Sequence, residues 1–287
     1  MYSDNNMIKE IRMGKIIVIA NHKGGVGKTT VAINLADTFN HLGYNTLMID
    51  LDSQHNTSDT YCAKIEDEYT MVDVLRQGCT ARDAIQHKPL GDIIPGDDLL
   101  AQEIKPLIRQ NDDDSLAYLL KNLLKSVKDE YEYIILDTSP SLDIYMEMAL
   151  NCADELIVPI TSQIYAVKGL NNLTRIIKRQ KDTYNPELKF LGVLLNIYDR
   201  RNGMDRDIKE SLEDYGQALG FNVLNTHIRI SQEVKKAQAL EEINENGEII
   251  DTNKSLLDNY PNSVAASNYV KLAQEIIELE NGRGGNV

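Results

Sequence analysis

Short apolar runs rich in β-branched residues recur along the chain, and longer segments with helical periodicity separate them. The runs that predict strands are residues 15–20, 45–50, 91–96, 133–138, 155–160 and 191–197, with a less apolar one at 221–228. Helical patterns fill the segments 29–43, 98–110, 115–128 and 165–184. In the first of these, Val31, Leu35 and Phe39 repeat at helical spacing, and Gly43 follows as a C-terminal glycine.

Strands that are apolar on both faces and alternate with helices are typical of a parallel sheet covered on both sides. We therefore predict an α/β fold with a doubly wound, mostly parallel β-sheet and helices on both faces. The pattern runs through residues 1–287 as a single domain. Residues 241–262 are polar, acidic and irregular, which predicts a surface insertion before a last helix at about 263–280.

Composition excludes several classes of protein. The three cysteines, Cys62, Cys79 and Cys152, are far apart and form no C-x-x-C pair, which argues against a disulfide framework or a structural zinc site. The N-terminal stretch is polar, unlike a signal peptide, and no apolar run approaches the roughly 18 residues of a membrane span. These features predict a cytoplasmic protein.

The net charge of −14 is unevenly distributed. Residues 163–240 contain 13 Lys and Arg against 9 Asp and Glu, whereas the rest of the chain contains 17 against 35. This segment therefore predicts a relatively basic surface on an acidic protein, and it could neutralise the phosphates of DNA without reading sequence. The alternative is an ordinary solvated surface of mixed charge. The basic clusters are Lys178, Arg179 and Lys181; Arg200, Arg201 and Arg206; and Arg229, Lys235 and Lys236.

The stretch NHKGGVGKTT, residues 21–30, lies between the first predicted strand and the first predicted helix. Its glycines allow the backbone N–H groups to curl around an anion, and the positive end of the helix dipole adds to the attraction. In such a loop Lys28 would reach the β- and γ-phosphates, and the Thr29 hydroxyl would bind Mg²⁺. The loop predicts ATP and Mg²⁺ as ligands, bound through Gly24, Gly25, Val26, Gly27, Lys28, Thr29 and Thr30.

Carboxylates follow or end two of the predicted strands. Asp50 and Asp52 end the second strand on the same side, and Asp137 lies near the end of YIILDT. Ligands of α/β sheets bind at this edge, so we predict Thr29, Asp50 and Asp137 around Mg²⁺. Asn196, inside LLNIYD, has an amide that could pair with adenine or cap the next turn.

The motif KGGVGKTT resembles the deviant Walker A loop of the ParA/MinD group of ATPases. The resemblance extends over most of the chain, and ParA-type partition ATPases match it best. Further matching stretches are LMIDLDSQHNTS, YIILDTSPSL, VLLNIYDRR and IRISQEVKKA. The chain departs from the usual patterns at His22, which replaces the first glycine of the standard Walker A loop, and at Ser53 and Ser139, which replace prolines.

The resemblance implies a catalytic set of Lys23, Lys28 and Asp52. In this family the deviant lysine, here Lys23, reaches the nucleotide of the partner in a homodimer that encloses two ATP molecules, and the residue matching Asp52 orients water. Hydrolysis is then slow and is stimulated by a ParB-like centromere-binding protein. The ATP-bound dimer coats DNA non-specifically and is nucleoid-associated. The DNA-contacting candidates are Arg200, Arg201, Arg206, Arg229, Lys235 and Lys236.

Rival functions share the nucleotide loop. A MinD-like, membrane-associated positioning ATPase ends in a helix with lysines on its polar face, whereas this chain ends in YVKLAQEIIELENGRGGNV. An iron–sulfur electron carrier needs bridging cysteines, for which the three cysteines provide no context. A nucleotide-locked scaffold would not need Lys23, Asp52 and Asp137. Only about 14 residues precede the first strand, so we expect no operator-specific autorepression.

Overall fold

The structure, a computed structural model, describes residues 14–141, 143–162, 164–199, 201–243, 249–250 and 252–282. The strands of the main sheet are β1 (Lys15–Ile19), β2 (Thr46–Leu51), β3 (Gln86–Lys88), β4 (Gly91–Ile94), β5 (Tyr133–Thr138), β6 (Glu155–Ile160) and β7 (Lys189–Leu195). A separate hairpin pairs β8 (Glu242–Ile243) with β9 (Ile249–Ile250).

Helices fill the connections between the strands. They are α1 (Lys28–His41), α2 (Asn56–Thr60), α3 (Met71–Leu75), α4 (Leu100–Gln110), α5 (Asp113–Lys128), α6 (Ile144–Cys152), α7 (Ile164–Thr183), α8 (Gly203–Leu219), α9 (Gln232–Gln238), α10 (Leu256–Asn259) and α11 (Val264–Glu280). In the described part of the chain, no helix combines the length and the apolar character needed to cross a membrane.

The seven-stranded sheet has the order β3-β4-β2-β5-β1-β6-β7. Its neighbours pair in parallel except β3 and β4, which are antiparallel. The predicted doubly wound, mostly parallel fold is confirmed, and the short edge strand β3 is an addition to it. Because β2, β5, β1 and β6 run in the same direction, their carboxyl ends meet at one edge of the sheet.

Alternation along the strands explains why the apolar runs are continuous. In β1, Ile16 and Val18 face one apolar core, whereas Ile17 and Ile19 face the other. The second core also contains Val31, Leu35 and Phe39 of α1 together with Ala265, Tyr269 and Leu272 of α11. The central strands β1, β2, β5 and β6 therefore bury both of their faces, as strands of covered parallel sheets do.

The predicted strand at 221–228 is wrong. The segment contributes only an isolated bridge between Val223 and Val193. The reason is that the N–H groups of Asn225 and Thr226 donate to the carboxylate of Glu275 at 2.7 and 2.8 Å instead of continuing a ladder. Side-chain acceptance thus interrupts the pairing, which resumes only where the N–H of Ile228 donates to the carbonyl of Leu195 at 2.9 Å.

The segment 241–262 lies only partly at the surface. Residues Thr252, Ser255, Leu256 and Leu257 are buried. The hydroxyl of Ser255 donates to the buried carboxylate of Asp37 on α1 at 2.9 Å. This part of the segment therefore packs against the helix that follows the glycine-rich loop.

Candidate functional site

The glycine-rich loop connects β1 to α1 at the carboxyl edge of the sheet. Gly25 and Gly27 have φ angles of 74° and 82°, values that favour glycine. Gly27 is the N-cap of α1, and its carbonyl accepts from the N–H of Val31 at 2.9 Å. The sequence thus supplies glycine where the backbone must turn to present N–H groups at a helix N-terminus.

Asn21 fixes the start of this loop. Its side-chain amide donates to the carbonyl of Pro159 at the end of β6, at 2.8 Å, and its Oδ1 accepts from the N–H of Lys23 at 3.0 Å. The side chain is 4% exposed. The backbone that carries Lys23 is therefore tied to two neighbouring strands rather than being a free surface turn.

Asn196 contacts the same loop from the end of β7. Its Nδ2 donates to the carbonyl of Val26 at 2.8 Å, and the residue is 2% exposed. A Cβ atom on Gly27 would lie 2.4 Å from that Nδ2. The observed role of this amide is to hold the phosphate loop, and its predicted contact with adenine stays a prediction.

The carboxylates of Asp50 and Asp137 lie side by side. The two residues are register partners in the parallel pair of β2 and β5, and both are almost completely buried. Burial, reinforced by the charge of Asp50, raises the pKa of Asp137 to about 7. Burial likewise raises the pKa of Asp50 to about 6. Two adjacent carboxylates of this kind favour a shared proton or a cation.

Hydrogen bonds already occupy Asp50. Its Oδ1 accepts from the N–H of Asp52 at 3.0 Å, and its Oδ2 accepts from both the N–H and the hydroxyl of Ser58 at 3.0 and 2.7 Å. Ser58 in turn accepts from the N–H of Gly96 at 2.9 Å. These contacts suit a residue that organises the loops around a metal site better than one that binds the ion directly.

The two carboxylate oxygens of Asp137 have different surroundings. Its Oδ2 accepts from the hydroxyl of Thr57 at 2.8 Å, whereas its buried Oδ1 has no hydrogen-bond partner among the described residues. The hydroxyl of Thr29 is close enough to lower the pKa of this carboxyl group. Because Mg²⁺ prefers carboxylate, hydroxyl and water oxygens, Asp137 and Thr29 fit that ion.

Lys28 lies between the loop and the carboxylates. It is 7% exposed, and burial lowers its pKa, while the charges of Asp137 and Asp52 oppose that change. A buried ammonium group at a helix N-terminus attracts anions to the loop. Asp52 is itself 8% exposed, and its Oδ1 accepts from the N–H of Gln54 at 3.0 Å, which orients the carboxylate at the start of the loop that leads to α2.

A cavity of about 180 Å³ adjoins the phosphate loop. It lies between the N-terminal part of α1, the end of β7 and α9, and it is lined by Gly27, Thr30, Asn196, Ile197, Val234 and Gln238 among others. Its size and partly apolar walls suit the planar base of a nucleotide whose phosphates occupy the loop.

The predicted basic residues are only partly brought together. Arg201 and Arg229 line one cavity of about 360 Å³, where Arg201 forms a two-point ion pair with Asp199 at 3.1 Å. Lys235 and Lys236 are exposed on α9. Arg206 is part of α8 but its side chain lies outside the description, and Arg200 lies outside the described residues. The exposed Lys178, Arg179 and Lys181 belong to α7.

Sequence reasoning missed the residues that connect these groups. Thr57 and Ser58 hold the carboxylates through hydrogen bonds from their hydroxyl groups. The N–H of Gly96 donates to Ser58, and Asn21 anchors the loop. The available signal was the pair of adjacent hydroxyl residues, Thr57 and Ser58, seven and eight positions after Asp50, in a segment that follows a buried strand. Such residues read equally well as an ordinary helix start.

Comparison with known proteins gives concordant matches. A protein-family model described as an AAA domain matches residues 14–190. The chromosome partitioning protein ParA of Caulobacter vibrioides is 32% identical over 277 residues, which cover 94% of this chain and 96% of that protein. A plasmid partition protein of Borrelia burgdorferi, solved with AMPPNP, superposes with a TM-score of 0.69 and 25% identity, covering 94% of this chain and 99% of that one.

The same fold is found in a biosynthetic enzyme. Cobyrinic acid a,c-diamide synthase of Mycobacterium smegmatis, solved with ADP and magnesium, superposes with a TM-score of 0.78. It covers 95% of this chain and 98% of its own, but at 23% identity it indicates a common fold alone.

Proposed function

The chain belongs to the ParA family of P-loop partition ATPases, and from that premise we propose that it segregates DNA through an ATP-dependent homodimer that binds DNA non-specifically. The observation that carries the proposal is the buried group formed by Lys28, Asp52 and Asp137 beside the glycine-rich loop. A structural turn would have no need of three buried charges, whereas a nucleoside triphosphate with its cation would balance them.

ATP and Mg²⁺ are the ligands of this site. The Borrelia burgdorferi relative was solved with an ATP analogue, which agrees with the chemistry of the loop. When bound, the cation neutralises charge on the phosphate oxygens. Asp137 and Thr29 would hold it, with Asp50 positioned behind them by its bonds to Ser58. The backbone of residues 24–30 and the Lys28 ammonium would bind the phosphates.

Hydrolysis requires an oriented water and stabilisation of the transferring phosphoryl group. Asp52 provides a carboxylate at the edge of the site, already oriented by the N–H of Gln54. The backbone of Lys23 is held by its hydrogen bond to Asn21. This fixed backbone would let the side chain extend towards a second subunit. We assign Asp52 to the water and Lys23 to the nucleotide of the partner.

The assignment of Lys23 can be tested with two inactive variants. Lys23→Ala and Asp52→Ala should each lose most hydrolysis. If Lys23 acts across the dimer, mixing them creates heterodimers in which one site has its own Asp52 and receives the intact Lys23 of its partner. Phosphate release should then rise well above that of either variant alone. If Lys23 acts within its own subunit, every site in the mixture remains defective and no activity returns.

DNA binding is proposed for the basic surface near the base cavity. Arg201 and Arg229 line the cavity of about 360 Å³. Arg229 also lines the base cavity, together with Lys235. The surface borders the nucleotide cavity, so closure of a dimer around ATP could align two such surfaces. Phosphate neutralisation by these side chains needs no base contacts and weakens with salt.

The DNA proposal predicts that long non-specific duplex DNA binds in the presence of ATP and Mg²⁺ but not with ADP or without nucleotide. Binding should weaken steeply across a salt series, because cations are displaced from the DNA. Lys28→Ala should abolish it by removing nucleotide binding. Lys236→Ala should weaken it while leaving ATP binding intact, because Lys236 is exposed on α9 and does not line the base cavity. Electrophoretic mobility shift or fluorescence anisotropy would measure both variants.

The matched control is Lys121→Ala, which removes an exposed lysine of α5, outside the basic segment 163–240. Its DNA affinity should match that of the unchanged protein. Absence of DNA binding in every nucleotide state, with hydrolysis intact, would contradict DNA segregation. The membrane-associated positioning ATPase would then be the next candidate, to be tested with anionic vesicles.

A centromere-binding partner of the ParB type is the proposed regulator of hydrolysis. The surface outside residues 163–240 is strongly acidic, which would attract a basic segment of such a partner. Partner-stimulated hydrolysis would then release the dimer from DNA. Stimulation that survives neutralisation of the acidic surface clusters would argue against this electrostatic attraction.

A further inference from the structure

Two adjacent hydroxyl residues contact the two carboxylates at the centre of the site. Thr57 donates to Asp137 Oδ2 at 2.8 Å, and Ser58 donates to Asp50 Oδ2 at 2.7 Å. Thr57 and Ser58 are both 0% exposed. They lie at the start of α2, so one short segment spans the carboxyl ends of both β2 and β5.

We propose that Thr57 is a positioning residue for the metal site: its hydroxyl fixes the carboxylate of Asp137 and thereby couples the loop that begins at Asp52 to Mg²⁺. The inference rests on the proposed ATP and Mg²⁺ function, and it extends that function to a residue outside the nucleotide loop. Thr57 acts through Asp137 and needs no contact with ATP or with the ion.

The geometry of the carboxylate supports this role. The bond from Thr57 occupies Oδ2, and the other oxygen, Oδ1, is buried without a partner among the described residues. A donor on one oxygen restricts rotation of the carboxylate and leaves the second oxygen for a metal or its bound water. Groups that hold a metal ligand in this way commonly change metal affinity when they are removed.

The loop between Asp52 and Thr57 depends on these contacts. His55, the N-cap of α2, has a φ of 40° and forms no side-chain cap. A non-glycine residue in this region is strained, and the surrounding structure must hold it. The N–H of His55 donates to the carbonyl of Asp52 at 2.9 Å, so a hydrogen-bonded turn connects Asp52 to the helix that carries Thr57.

Ser58 extends the connection to a third segment. Its hydroxyl donates to Asp50 and accepts from the N–H of Gly96, which follows β4. A Cβ atom on Gly96 would lie 3.0 Å from Asp50 Cγ, so the backbone approaches the carboxylate closely. A displacement of the carboxylates would therefore also displace both loops. Of the two hydroxyl residues, Thr57 is the one that contacts Asp137.

The test compares Thr57→Val with Thr57→Ser. Valine keeps the shape of threonine but cannot donate, whereas serine keeps the hydroxyl. A fluorescent ATP analogue is titrated at a series of Mg²⁺ concentrations and again in EDTA. Thr57→Val should raise the Mg²⁺ concentration for half-maximal binding about 10-fold or more, in line with other groups that support metal ligands. Thr57→Ser should have a Mg²⁺ midpoint within a few-fold of that of the unchanged protein. The affinity for the ATP analogue in EDTA should change little in either variant.

Thr60→Val is the matched control. Thr60 belongs to the same short helix, and its hydroxyl donates to the carbonyl of Asn56 at 2.9 Å, away from the carboxylates. The control should leave the Mg²⁺ midpoint unchanged. Should Thr57→Val fail to fold, Thr57→Ala offers a second removal of the hydroxyl, with circular dichroism as the check on folding.

An unchanged Mg²⁺ midpoint in Thr57→Val, an equal loss of affinity in EDTA and in Mg²⁺, or failure of serine to rescue would each overturn the inference. These outcomes differ from failure of the proposed function. If the unchanged protein shows no Mg²⁺-dependent binding of the ATP analogue, the proposed nucleotide site itself is wrong. DNA and partner proteins are absent from the assay, so their behaviour does not affect the result.

Discussion

At the scale of single residues, the phosphate loop depends on a close contact between Gly27 and Asn196. The amide of Asn196 holds the Val26 carbonyl, and it occupies the space that a side chain on Gly27 would need. Gly27 also has a φ of 82°. The position therefore requires glycine for two separate reasons, backbone conformation and space, whereas a nucleotide-loop motif alone suggests only the first.

Gly27→Ala should lower the free energy of unfolding by about 1–3 kcal/mol, because a non-glycine residue adopts the left-handed region only under strain. The clash with Asn196 adds to that cost. In the double variant with Asn196→Ala, the loss should be smaller than the sum of the two single losses, since the clash is absent. Urea unfolding of the nucleotide-free protein would measure all four proteins.

Gly24 and Gly25 provide the controls for this cycle. A Cβ atom at either position meets no atom within 4 Å, but Gly25 has a φ of 74°. Gly24→Ala should leave the free energy of unfolding nearly unchanged. Gly25→Ala should lower it only through backbone strain, because no clash is added. Strict additivity of Gly27→Ala and Asn196→Ala would contradict the proposed contact.

At the scale of elements, the sequence predicted the parts that depend on buried apolar runs. Strands β1, β2, β4, β5 and β6 occur within a residue or two of their predicted positions, because both faces of each are covered and the apolar run marks its length. Helix α1 was equally clear from its periodicity and from Gly43, whose φ of 86° is that of a helix-terminating glycine.

Elements that depend on individual polar contacts were not predictable in this way. The three-residue strand β3, QHK, carries no apolar signal, and its existence depends on antiparallel pairing with β4. In the segment 221–228 the apolar residues predicted a strand that does not form. Two of its N–H groups donate instead to Glu275, about 50 positions away. The same limit applied to Thr57, whose partner Asp137 is 80 positions away.

At the scale of the whole molecule, an acidic pair of buried Glu155 and half-buried Glu280 joins the last helix to the amino edge of the sheet, opposite the nucleotide loop. Glu155, the first residue of β6, is 0% exposed and interacts with Glu280. Burial and the charge of Glu280 on α11 raise the pKa of Glu155 to about 7, against the opposing charges of Lys15 and Lys189. Tyr133 donates its hydroxyl to Glu280 at 2.9 Å.

The folded protein should therefore lose stability as pH rises through about 7, because Glu155 then ionises in a buried position. The folded-state pKa lies above the unfolded value, so this contribution is fully present below pH 4.5 or so and declines above it. Glu155→Gln, which cannot ionise, should flatten the profile and increase stability at pH 8 by about 1–3 kcal/mol. Urea unfolding at pH 5, 6, 7 and 8 would measure the difference.

The control is Glu187→Gln, which alters an exposed carboxylate in the turn before β7. Its stability should follow that of the unchanged protein at every pH. Parallel pH profiles for Glu155→Gln and the unchanged protein would contradict an ionisation at Glu155. The carboxylates of the nucleotide site are present in all three proteins, so their titration cancels in the comparison.

The shared environment of Glu155 has a practical consequence for handling the protein. Lys15 begins β1 and Glu280 ends α11, and both influence the same carboxylate, so the first strand and the last helix meet at one edge of the sheet. The glycine-rich loop lies at the other edge. A fluorescent reporter placed just before Lys15 or just after Glu280 would therefore lie at the edge opposite the nucleotide loop. A circular permutant that links these ends and reopens the chain in a surface turn should retain the fold.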